Sequence, residues 1–183
     1  MATRTLARTA EELWALPHDG LRHELVEGQH RVMAPAGAEH GRVAATIAGL
    51  LFGEVRRSGA GVTFGAETGF LIARDPDTVR APDAAFVARG RADAVGRTEK
   101  YWPGAPDFAA EVISPGDSPA DAEAKALGWV AAGTTLVLVV DPARRTATAY
   151  RAARDVRAYS GTDTLDLSDA VPDWRVSLDE LFR

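Results

Sequence analysis

Four ionisable residues stand where their types and spacing could do chemistry. Glu111 lies inside the apolar segment Phe108-Ala109-Ala110-Glu111-Val112-Ile113. A carboxylate in the middle of an apolar strand is costly to desolvate unless it is paired, protonated or bound to a metal. Asp83 follows Pro82 in Arg80-Ala81-Pro82-Asp83-Ala84-Ala85-Phe86-Val87 and poses the same question near a strand's start. Lys125 lies on the helix expected after Glu111, and Glu24 lies in the alternating segment Arg22-His23-Glu24-Leu25-Val26. Two carboxylates on neighbouring strands can hold a hard divalent cation such as Mg²⁺ through oxygen. Such a cation acidifies bound water and stabilises charge on a phosphoryl oxygen. A nearby lysine can orient the attacking water or stabilise the developing charge.

These residues need elements to position them. Thr9-Ala10-Glu11-Glu12 has the form of a capping box, so a short helix starts there and stops before Pro17. Arg22 to Glu27 and Gln29 to Met33, with Gly28 between them, read as a hairpin. Val43, Ile47, Leu50, Leu51 and Val55 recur at helical spacing and predict the longest helix over Ala38 to Arg57. Gly61 to Ala73 reads as one or two strands, and Val79 to Val87 as a strand with Pro82 near its start. Arg89 to Gly104 is polar and is expected to be a loop. Asp107 to Ile113 is a strand and Asp121 to Ala132 a helix stopped by Gly133. Thr134 to Val140 is a β-branched apolar strand of the kind covered on both faces. The strand, helix and strand form a βαβ unit. Arg145 to Arg151 and Val156 to Tyr159 are further strands, and Ser177 to Phe182 is a last helical turn. The order predicts a single α/β domain, a mixed β-sheet flanked by helices.

Composition bounds the function. A chain of 183 residues fits one domain, and its charged and apolar fractions are those of a globular protein able to bury a core. With no cysteine there is no thiolate metal site, disulfide or cysteine nucleophile. The N-terminus lacks the apolar core of a signal peptide, and the longest apolar run, Leu136 to Val140, is far too short to span a bilayer. These features predict a soluble, cytoplasmic protein with no membrane partner. The net charge of −5 lacks the basic excess of a typical nucleic-acid binder. Ser114 has no nucleophile-elbow pattern, Gly59-Ala60-Gly61 is no phosphate loop, and His18, His23 and His30 have no metal-ligand spacing.

The pairing of Pro82-Asp83 with Glu111-Val112-Ile113-Ser114-Pro115, followed by Lys125, resembles the core of the PD-(D/E)XK nuclease superfamily. The closer resemblance is to a bacterial group of restriction-endonuclease-like proteins, the Uma-two family. It runs nearly the whole length of the chain. Arg22 to Gly28, Met33-Ala34-Pro35 with His40, Gly69-Phe70, Gly133 and Val139-Val140-Asp141-Pro142 match as well. The resemblance implies a restriction-endonuclease-like fold and an Mg²⁺-dependent endonuclease acting on DNA, with Mn²⁺ as a substitute ion. By it, Asp83, Glu111 and the backbone carbonyl of Val112 hold the metal. Glu24 binds a second ion or orients water. Ile113 stands where the simplest pattern has its lysine, so the lysine comes from the following helix, where Lys125 is the only one.

Simpler readings stand beside these. Asp83 could cap a local turn, and Glu111 could pair with an arginine. Lys125 could pair with Asp121, four residues earlier, and Glu24 with a neighbouring arginine. His40 could be a structural histidine, while Glu67 could approach the site from a strand. The competing functional reading is a non-catalytic binding or regulatory module, a homodimer, that retains the nuclease fold. A hydrolase of small phosphoesters is a third.

Overall fold

The computed structural model describes residues 6–183, so the first five residues of the N-terminal segment read above lie outside it. The capping box forms as expected: the Thr9 side chain accepts from the Glu12 amide and Glu12 returns the contact, starting α1 (Ala10–Trp14). The hairpin follows as β1 (Arg22–Val26) and β2 (Gln29–Met33), paired with Glu24 opposite Arg31. Then comes α2 (Ala38–Ser58), which buries Val43, Ile47, Leu51 and Val55 along one stripe. Each such side chain contributes roughly 1.5–3 kcal/mol on removal from water.

The region after α2 holds two corrections. Strands β3 (Gly61–Gly65) and β4 (Phe70–Ala73) are as expected. The single strand expected over Val79 to Val87 is two, β5 (Thr78–Arg80) and β6 (Ala84–Ala88), and they belong to different sheets. Pro82 has no N–H to give a ladder. The Asp83 amide instead donates to the Ala110 carbonyl, 2.9 Å away. The expected loop after β6 begins with a helix, α3 (Arg89–Val95), held by Arg91 on Asp107 at 2.9 Å, and contains the two-residue β7 (Trp102–Pro103). Its short polar sequence carries no helical stripe, and only the tertiary contact reveals it.

The second half runs β8 (Phe108–Val112), α4 (Pro119–Ala131) and β9 (Leu136–Asp141), with β8 and β9 parallel as a βαβ unit requires. Helix α4 starts before Asp121 because Ser118 caps it, accepting from the Asp121 amide, with Pro119 in the first turn. Strands β10 (Thr146–Ala152) and β11 (Asp155–Tyr159) complete a six-stranded mixed sheet in the order β11-β10-β9-β8-β6-β3. The sequence reading missed the short pair β12 (Thr164–Asp166) and β13 (Arg175–Ser177), which precedes the 3₁₀ turn Leu178–Phe182. A five-stranded sheet, β2-β1-β5-β4-β7, lies beside the larger one.

Alternation along β8 decides where chemistry can sit. Phe108, Ala110 and Val112 pack on the α2 side, while Ala109 packs on the α4 side with Trp129 and Ala126. Glu111, two residues from Ala109, therefore points at α4. No helix among the described residues is long and apolar enough to cross a membrane.

Candidate active site

Glu24 on β1, Asp83 in the break between β5 and β6, Glu111 on β8 and Lys125 on α4 line one cleft of about 1180 Å³. The three carboxylic residues are buried, at 3%, 3% and 7% exposed. Val112 lines the same cleft. Its amide donates to Asp83 Oδ2 at 2.8 Å. In an extended residue the N–H and C=O leave the same edge, so the Val112 carbonyl lies on Asp83's side of β8.

Each carboxylate has named partners. Glu111 Oε2 accepts from Lys125 Nζ and Oε1 from Trp129 Nε1, both at 2.7 Å. Lys125 and Trp129 are four residues apart on α4, so one helix face covers both oxygens. Asp121, the local alternative for Lys125, takes the Ser118 hydroxyl instead. Arg22 bridges the two other acids, with Nη2 3.1 Å from Glu24 Oε1 and Nη1 3.5 Å from Asp83 Oδ1. Glu24 Oε1 also accepts from the Ala81 amide at 3.2 Å. His40, near the start of α2, places Nε2 3.3 Å from Asp83 Oδ2. Lys125 Nζ is 4.0 Å from Glu24, so it stands between two of the acids.

The electrostatics set the acids apart. Burial raises the Asp83 pKa. Hydrogen bonds from His40 and the Val112 amide, helped by the charges of His40 and Lys125, outweigh burial and hold it below the usual aspartate value. The same Asp83 hydrogen bond raises the pKa of His40 against its burial. Glu111 moves upward: burial raises it most, Asp83 and Glu24 add to the rise, and Lys125 opposes it. Carboxylates pushed in opposite directions in one cleft are a signature of functional sites.

The donor chemistry suits a hard divalent cation, since Glu24, Asp83 and Glu111 bring carboxylate oxygens to the cleft and His40 brings its one imidazole. The oxygens are not gathered into a ready-made cage. Among the described residues no group of three or more histidine or acidic side chains is placed to hold a metal, and Glu111 has both oxygens in hydrogen bonds. Glu67 reaches the rim from the turn after β3 rather than from a strand. His23 and His30 meet each other at 2.8 Å, but their alternation on the hairpin turns them to the face opposite Glu24.

Arg22, Arg80 and Trp129 escaped the sequence reading as site residues. Arg22 had a signal: two residues before Glu24 on a strand, it shares Glu24's face. Trp129 had one too, four residues after Lys125 on the helix. Arg80 had none, because its place depends on how β5 pairs.

The sequence matches the family model Uma2, described as "Putative restriction endonuclease", over residues 10–179. A crystal structure described as a putative nuclease belonging to DUF820, from Anabaena variabilis ATCC 29413, matches with a TM-score of 0.82 and 19% identity. The match covers 95% of this chain and 97% of that chain. At that identity the likeness speaks for the fold, a mixed α/β architecture with flanking helices. No curated protein matches the chain. The matched span takes in Glu24, His40, Asp83, Glu111 and Lys125, and the chain belongs to the Uma2 family.

Proposed function

We propose that the protein is a metal-dependent endonuclease of the PD-(D/E)XK type that hydrolyses phosphodiesters of DNA. One observation carries the reading: Glu24, Asp83, Glu111 and Lys125, from four separate parts of the chain, converge on one open cleft. Asp83, Glu111 and the Val112 carbonyl would hold Mg²⁺, or Mn²⁺ in its place. When bound, the ion supplies acidified water and neutralises charge on a phosphoryl oxygen. Lys125, on Glu111 and near Glu24, stabilises the developing phosphoryl charge and orients the nucleophile. Arg22 and His40 hold the Asp83 carboxylate in one orientation from two sides. Glu24 fixes Arg22 and orients water.

The test is cleavage of supercoiled and linear DNA with Mg²⁺ or Mn²⁺, beside calorimetric titration of each ion into wild type, Asp83→Ala and Glu111→Ala. Ion binding and cleavage in wild type, both lost in both variants, support the reading. Absence of ion binding with DNA present, and of cleavage, overturns it. A second reading is a non-catalytic, dimeric binding or regulatory module that keeps the fold. It draws on the net charge of −5 and on Ile113 in the lysine position. Undiminished DNA binding without cleavage, together with a homodimer in sedimentation, would favour it.

A further inference from the structure

Cations of the cleft are mostly spoken for. Arg22 is spent on Glu24 and Asp83, Lys125 on Glu111 and His40 on Asp83. Arg80 is different. It is the one buried basic residue among those described, at 9% exposed, and it lines the same cleft. Among the described residues its guanidinium has no hydrogen-bond or ion-pair partner, although Glu24 and Glu111 are near enough to act on its charge.

The fold explains why Arg80 is both buried and unpartnered. Leu25 of β1 pairs with Val79 of β5, and both side chains enter the small core beneath α1. Alternation turns Arg80 to the opposite face, and the antiparallel register sets it beside Glu24. Glu24 Oε1, however, already accepts from Arg22 and the Ala81 amide. The Arg80 guanidinium lies against α4, where a Cβ on Gly128 would stand 4.0 Å from Nη1. Gly128 is three residues beyond Lys125, on the same side of the helix. A guanidinium stays protonated and carries five donors in a planar fork. The Arg80 nitrogens are not among the fully buried polar atoms, so they face the open cleft, where an anion can take the place of water on the guanidinium.

We propose that Arg80 is a phosphate-binding residue, its guanidinium taking the non-bridging oxygens of a substrate phosphodiester at the cleft floor beside Lys125. The fork geometry matches two phosphate oxygens at once, which distinguishes it from the diffuse attraction of an exposed rim cation such as Arg31. The inference rests on the phosphodiesterase reading for its substrate class, not for the site itself.

The experiment uses the full chain, with Arg80→Met, Arg80→Lys and the rim control Arg31→Met. Two probes are titrated in the presence of Ca²⁺: inorganic phosphate, followed by ³¹P line broadening, and a fluorescent DNA oligonucleotide, followed by anisotropy. Circular dichroism and the thermal midpoint report whether each variant folds. Arg80→Met is expected to weaken binding of both probes at least about tenfold. Arg80→Lys, which keeps the charge and loses the fork, falls between. Arg31→Met lowers only the oligonucleotide's affinity. Should Arg80→Met not fold, Arg80→Lys decides, and wild-type affinity for both probes in that variant overturns the proposal. So does wild-type affinity in a folded Arg80→Met, or a wild type that binds neither probe. Arg80-dependent phosphate binding without DNA binding or cleavage keeps the subsite and sinks the nuclease reading. DNA cleavage with phosphate and DNA binding indifferent to Arg80 does the reverse.

Discussion

Two buried aspartates flank β5, and they use similar local chemistry to different ends. Asp77 precedes the strand and Asp83 follows it, at 7% and 3% exposed. Each accepts one backbone N–H at 2.8 Å and one arginine: Ala10 and Arg74 for Asp77, Val112 and Arg22 for Asp83. Asp77 thereby satisfies a free N–H in the first turn of α1 and pins that helix to the sheet. Its arginine also reaches Glu11 of the same helix, so the cluster closes on itself. Asp83 ties two sheets together, yet it opens onto a cleft shared with His40, Glu24 and Glu111. Burial and an arginine partner are common to both acids. What sets Asp83 apart is an open cleft shared with Glu24 and Glu111, the crowding of carboxylates that marks a candidate site, whereas Asp77 shares one arginine with Glu11.

Substitution at either end of β5 tests this contrast. Asp83→Asn is expected to reduce DNA cleavage at least ~100-fold while the protein stays folded. Residual activity near wild type would remove Asp83 from the chemistry. Asp77→Ala should do the opposite. It leaves the buried Ala10 amide without its acceptor, while Arg74 keeps Glu11, costing about 1–3 kcal/mol in chemical denaturation. Specific activity of the folded fraction should be unchanged. A loss of activity larger than the loss of folded protein would show the two ends of β5 to be coupled.

Lys125→Met leaves Glu111 facing Asp83 and Glu24 without its cation. Protonation of Glu111 limits the damage to about 1–2 kcal/mol. Adding Glu111→Gln should recover most of that loss, a coupling readable in a double-mutant cycle. Glu111→Gln alone should keep or raise metal-free stability at neutral pH. Its sign follows from the raised pKa of Glu111. The folded state holds that proton more tightly than the unfolded state, so wild type gains stability as pH falls through the raised value towards 4.5. The advantage of the glutamine variant should therefore shrink over that window and vanish below it. Urea melts in a chelator from neutral to acidic pH measure this directly, and an advantage that grew on acidification would reverse the assignment.

Much of the site was legible before any fold. Glu111 announces itself as an acid in an apolar strand, and Asp83 as an acid after a proline. What hid the rest is sequence distance. Arg22 reaches Asp83 across 61 residues, and the Ala81 amide reaches Glu24 across 57. The Pro82 break was half-read: the missing donor was visible, but not that the chain changes sheets there. Helix α3 was read as a loop because its stability comes from Asp107, which receives both the Ala88 amide and Arg91.

Local structure could be read from residues close together in the chain: the Thr9 capping box, the hairpin around Gly28, the stripe of α2 and the βαβ unit. Such features depend on residues within a turn or two of one another, and backbone hydrogen bonding and side-chain periodicity suffice to set them. Which cation meets which acid depended on the packed fold. It sent Lys125 to Glu111 rather than Asp121, joined Arg22 and His40 on Asp83, and left Arg80 buried without a partner. Those choices follow from strand register and from the placing of α2 and α4 over the sheet, which arise only when the whole core packs.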